Sequence, residues 1–131
     1  MDLSLARLSD LRRPFYGVAA AMLIAASVVT FTHVDAGWWV FPVFAVGPDL
    51  AFLAGIGQTN GLEKGQLPPR AVPLYNAVHR LWGPVVLGLV AAAGLLPPAL
   101  LVGALVWGAH VCLDRAVGYG LRTPDGFQRS R

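Results

Sequence analysis

From Pro14 to Glu63 the chain carries no lysine or arginine, and from Leu81 to Asp114 it carries none again. Gaps of this length leave apolar surface that charge cannot shield from water. Charged residues make up 13% of the 131 residues and hydrophobic ones 56%, whereas about a quarter of a soluble domain is charged. A short chain also has a large surface for its volume. The surface of this one is therefore expected to face lipid.

The apolar runs set the expected architecture: an all-α membrane protein with four transmembrane helices in one up-down bundle over residues 14–120. The spans are placed at about 15–32, 38–56, 73–96 and 99–119. Roughly 20 residues at 1.5 Å each cross the hydrocarbon core. Residues 1–13 read as an amphipathic leader holding Arg7, Arg12 and Arg13, and Pro14 suits a first helical position. The first run exceeds the usual signal-peptide core, so it is expected to be retained despite the small residues around Val34-Asp35-Ala36. Trp38 and Trp39 read as an interfacial anchor. Residues 57–71 read as a polar loop, and Leu95-Leu96-Pro97-Pro98 as a tight turn that makes spans three and four an antiparallel hairpin. Residues 121–131 read as a basic tail whose Arg122, Arg129 and Arg131 meet anionic lipid. In the first span, Gly17, Ala21 and Ala25 form a ridge suited to close helix packing.

Charge then sets orientation. All ten lysines and arginines lie in the leader, in the central loop and start of span three, or at the end of span four and its tail. Four spans bring these segments to one side, and the positive-inside rule makes that side cytoplasmic, with both termini. The expected location is the cell (plasma or inner) membrane, as a multi-pass protein. The net charge of +3 is thus explained by topology and not by nucleic acid. The lone Cys112 excludes an intramolecular disulfide and reads as a buried inert thiol.

Polar residues inside the spans are costly, about 2.5–3.5 kcal/mol for a central Asp. Asp49 lies near the cytoplasmic end of span two, Asn76 and His79 at the start of span three, and His110 and Asp114 in the last third of span four. Asn76 and His79 are i, i+3, and His110 and Asp114 are i, i+4, so each pair shares a face. The helical hairpin lets those faces oppose each other. The expected pocket comprises Asp49, Asn76, His79, Arg80, Trp107, His110, Asp114, Arg115 and Tyr119, in the inner leaflet. Pro48 and Pro84 each free a carbonyl one turn back beside it.

Pro48-Asp49-Leu50, Tyr75-Asn76 with His79, Trp107 with His110, Asp114-Arg115 and Gly118-Tyr119-Gly120-Leu121 form a series. It resembles the small bacterial integral membrane proteins of domain-of-unknown-function family 4260, over roughly residues 15–127. The resemblance implies four spans and this polar series, and it implies no activity. The family pattern continues past Phe127 into Thr-His-Leu-Gly, where this chain reads Gln128-Arg129-Ser130-Arg131.

His79, His110, Asp114 and Asp49 supply a mixed nitrogen and oxygen set suited to a divalent ion such as Zn, Mn or Fe. One reading is a metal-dependent hydrolase or transferase acting on a membrane-associated substrate. In it Asn76 orients the ligand, and Arg80 and Arg115 hold an anionic headgroup. A second is a non-enzymatic ion- or proton-binding protein, as a homo-oligomer if it transports. A third makes His79 and His110 axial ligands of a haem. A fourth is structural: Asp49 or Asp114 pairs with Arg80 or Arg115, Asn76 donates across a helix, and the histidines bond to backbone carbonyls. Interhelical bonds of about 0.6 kcal/mol each are small against the cost of insertion. No phosphate loop, nucleophile elbow or paired-cysteine motif is present.

Overall fold

The computed structural model describes residues 3–58 and 60–129, with side chains from Asp10 onward. Met1, Asp2, Thr59, Ser130 and Arg131, and the side chain of Arg7, lie outside the described residues. Within them the chain is helical, with a single bridge between Arg122 and Gln128 and no strand. The helices are α1 (Leu3–Phe31), α2 (Val40–Val46), α3 (Val72–Val78), α4 (Trp82–Ala92) and α5 (Ala99–Val117). A 3₁₀ segment, Gly47–Gly55, continues from α2, and a 3₁₀ turn, Pro69–Ala71, leads into α3.

Helix α5 is the hub, packed against α1, α2 and α4. Glycines permit the close approaches. A Cβ at Gly103 would collide with the Phe44 ring, and one at Gly83 with the Trp107 ring. Val40, Val102 and Val106 form a small core with Phe31 and Phe41, whose rings meet edge to face at 5.1 Å. Cys112 is buried in α5.

Helix α1 runs straight through Pro14 instead of starting there. The proline removes a bond to the Asp10 carbonyl, but that residue is exposed and water can take its place. The packed stripe of α1 also differs from the expected ridge. Ala20 and Ser27 are buried, with Leu23 between them, while Ala21 and Ala25 are exposed. Four residues advance about 400°, so a strict four-residue ridge drifts off the contact by about 40° per step.

Two helices, Asp10–Phe31 and Ala99–Val117, are long and apolar enough to cross a membrane. Only 11% of the apolar window of the first is buried, so it is not the core helix of a water-soluble fold. Large apolar side chains such as Phe15, Met22, Val85 and Leu89 are exposed, as are Trp38 and Trp39. The other two apolar helical stretches, Val40–Gly55 and Trp82–Ala92, are shorter. In the first the helix tightens to 3₁₀ just before Pro48, which has no N–H to give. In the second, His79 ends α3 and Trp82 begins α4.

The tail is a folded element. Thr123 N–H donates to the Phe127 carbonyl at 2.7 Å, and Arg129 N–H to Leu121 at 3.1 Å. Gly126, at φ 99°, makes the turn, and its carbonyl accepts from Leu67 N–H at 2.9 Å. The hairpin is thereby docked on the 57–71 loop.

Candidate metal centre

Four side chains converge where α5 passes the break between α3 and α4. Asp49 comes from the 3₁₀ segment, His79 from the end of α3, and His110 and Asp114 from one face of α5. Each offers one ligand atom, and the four atoms all lie within 4.8 Å of one another. His79 Nε2 is 3.3 Å from Asp49 Oδ1 and 3.5 Å from Asp114 Oδ2. His110 Nε2 has the same two distances. The two Nε2 atoms are 3.3 Å apart.

The main chain sets the tautomers. His79 Nδ1 lies 2.8 Å from the Tyr75 carbonyl, and His110 Nδ1 lies 2.7 Å from the Ala45 carbonyl. A carbonyl only accepts, so each Nδ1 carries a proton and each ring turns its Nε2 to the centre. Metal-binding histidines commonly give their other ring N–H to a carbonyl in this way, which fixes the ring's orientation. The Ala45 carbonyl is available because its 3₁₀ partner would be Pro48. The Tyr75 ring stacks on His79 with centroids 3.9 Å apart. His79 is fully buried, whereas the side chain of Asp49 is 56% exposed. The centre is therefore closed on the helix side and open at Asp49.

Helix α5 also holds the break itself. Between α3 and α4 the carbonyls of Val78 and His79 have no helical partner. Trp107 Nε1–H donates to the first at 2.8 Å, and Arg115 Nη2 donates to the second at 2.8 Å. Asp114 is fixed in the last turn of α5, where its carbonyl accepts from Gly118 N–H at 3.0 Å and Tyr119 N–H at 2.8 Å. Gly118, at φ 106°, supplies the left-handed cap.

The remaining expected pocket residues lie elsewhere or have other partners. Asn76 points away from the centre: its amide donates to the Arg122 carbonyl at 3.0 Å and accepts from Arg122 N–H at 2.8 Å. It docks the tail. Arg122 is turned inward too, donating to the Gly65 carbonyl at 2.7 Å and lying 5.5 Å from the Tyr75 ring centre. Arg80 is exposed at the helix break, and Tyr119 is exposed beyond the end of α5. The acids face histidines, and the histidine-to-carbonyl bonds of the structural reading are present. A haem needs its two axial nitrogens on opposite faces of a flat macrocycle. Here they lie 3.3 Å apart, in one small space with two carboxylates.

The structural reading expects backbone carbonyls as the histidines' partners, and the structure identifies them as those of Ala45 and Tyr75. Their signals were present, in Pro48 three residues after Ala45 and in the four-residue step from Tyr75 to His79. Among known proteins, a family model described as "Domain of unknown function (DUF4260)" matches residues 16–131. No curated protein and no solved structure matches the chain.

Proposed function

The chain belongs to the DUF4260 family, and from the geometry of its four-atom cluster we propose that it is a membrane metalloprotein holding a divalent transition ion. One observation carries this: four hydrogen-bond acceptors face one another. Two Nε2–H groups cannot confront each other at 3.3 Å, so at most one ring is protonated there. A single N–H can serve only one of the two carboxylates and the other nitrogen, and the rest face one another without a donor in a site partly shut from water. A cation resolves this. Bonds of about 2.0–2.2 Å in tetrahedral array need ligand atoms about 3.3–3.6 Å apart. Five of the six separations are 3.3–3.5 Å, and the donor set suits Zn, Mn or Fe.

The opening at Asp49 favours catalysis over a closed structural site. Beside it lies an apolar cleft of about 240 Å³ lined by Val43, Phe44, Gly47, Pro48, Val78 and Trp107. A hydrolase or transferase acting on a membrane-associated substrate fits this arrangement. The ion would act as a Lewis acid or activate water.

The same proposal includes four crossings, with both termini and the central loop in the cytoplasm and the protein in the cell membrane. The rises of α2 and the 3₁₀ segment add to about 28 Å, close to one hydrocarbon thickness. The exposed apolar exterior and the segregation of basic residues support it.

Metal analysis of protein purified in detergent is the test. The parent is expected to carry about one transition ion per chain, and the His79→Ala, His110→Ala variant none, with helicity retained by circular dichroism. A parent that has no ion after purification, and gains none after dialysis against Zn²⁺ or Mn²⁺, refutes the metal reading.

A further inference from the structure

A second apolar cleft, of about 310 Å³, shares Val78 and Trp107 with the cleft of about 240 Å³ beside Asp49. The two adjoin at the Trp107 ring as one groove. It starts at Gly47 and Pro48, next in the chain to Asp49, and runs past Gly83, Val86 and Val90 to Leu96 at the hairpin turn. From Trp82 to Val90 alone α4 rises about 12 Å, and one leaflet of hydrocarbon is about 15 Å deep. Val43, Trp82 and Val86 on the rim are exposed, so the groove opens sideways to lipid.

Its lining offers an occupant little that is polar. Trp107 Nε1–H is taken by the Val78 carbonyl at 2.8 Å. Gly47 N–H is taken by the Val43 carbonyl, and Pro48 has no N–H. A peptide laid here would leave its own backbone groups unpaired, at heavy cost in hydrocarbon. A partner helix is about 10–12 Å across and reaches clefts of this size only with side chains. A run of methylenes needs no hydrogen-bond partner and can bend round an indole. At the Asp49 end the chemistry changes within one residue, because an ion held there takes oxygen donors. We infer that the groove takes the hydrocarbon chain of a lipid and brings that lipid's oxygen-bearing polar end to the metal centre; only the polar end rests on the metal reading. Gly47 keeps the entrance open. A Cβ there would meet nothing within 4 Å, and its backbone is ordinary right-handed helix at φ −49°, so no strain calls for glycine.

Hydroxamates are the probes, acetohydroxamate as a bare chelating head and dodecanohydroxamate as the same head on a long chain. Each is titrated against the Zn²⁺-loaded full chain in maltoside micelles, with thermal stability as the readout. The long chain is expected to half-saturate at a concentration at least about tenfold lower. Gly47→Leu, or Ala77→Phe in the second cleft, should erase that advantage, while Val85→Leu, outside the groove, keeps it. No advantage in the parent overturns the inference. So does one that both filling variants leave intact, since it then belongs to the micelle. A second arm needs no metal. With Trp38→Phe, Trp39→Phe and Trp82→Phe in place, Trp107 reports from the groove wall in vesicles of phosphatidylcholine with dibrominated chains. Its fluorescence should be quenched, and Gly47→Leu should restore it. Quenching that is absent, or that Gly47→Leu does not move, overturns the inference. If acetohydroxamate itself leaves the parent unchanged, the metal reading has failed, and the quenching arm alone decides the groove.

Discussion

Asp114→Asn separates a metal centre from an ordinary polar cluster because its effect changes sign with metal. The two carboxylate oxygens lie no more than 4.8 Å apart. Two full charges at that distance repel by about 3.5 kcal/mol at an effective dielectric of about 20, and by about 0.9 kcal/mol in water. The Asp49 side chain is 56% exposed, so the surplus lies toward the lower end, about 1–2 kcal/mol. Asparagine keeps the shape, removes the charge and brings an N–H donor to face the ring nitrogens. Stripped of metal with a chelator, the variant should therefore melt above the stripped parent by about 3–10 °C. With metal restored the order reverses. Losing a ligand costs more affinity than the 10–100-fold typical of an outer-shell partner. A parent saturated at about 100 times its Kd gains about 2.7 kcal/mol that the variant largely forgoes. The assay is thermal denaturation in detergent with EDTA and then with Zn²⁺ or Mn²⁺. An Asp114→Asn protein that melts below the parent in both conditions would show that the carboxylate is a structural hydrogen-bond partner, and the reasoning would fail.

Asn76→Ala should free the tail. It removes two hydrogen bonds of about 0.5–1.5 kcal/mol each, so the undocked population rises about 5- to 150-fold and trypsin cleavage after Arg122 accelerates in proportion; unchanged cleavage refutes the docking role. Topology is tested in a Cys112→Ala background with single cysteines in place of Asp35, Lys64 or Pro124. A membrane-impermeant maleimide applied to the outside of cells should label only the first, and labelling of either of the others sinks the four-span arrangement.

The convergence of Asp49, His79, His110 and Asp114 was legible because it rests on helical periodicity and on a hairpin with a short turn. What the sequence did not reveal was decided by partners far away in the chain. Asn76 shares a face with His79 only while α3 is viewed alone, and the tail that captures its amide is set by Gly126 and Arg122. Pro84 marked a disturbed helix near Arg80, but not a full break after His79. Freed carbonyls at Val78 and His79 are tolerable only because Trp107 and Arg115 arrive to take them, and no local pattern announces that. The switch to 3₁₀ at Gly47 is a milder case: Pro48 marked a disturbed helix, but not that the Ala45 carbonyl would turn to His110. Arg80 was grouped with the site by its position next to His79, yet at a helix end adjacent residues point in different directions.

The ligand set is divided along the chain, and this bears on how the centre matures. Asp49 and His79 leave the ribosome well before His110 and Asp114, which lie in the last helix to be made. No nascent segment ending before α5 can gather more than two of the four donors. The same late helix supplies the groups that hold His79 in place. If the cluster holds the proposed ion, loading would await the arrival of α5 beside the earlier helices.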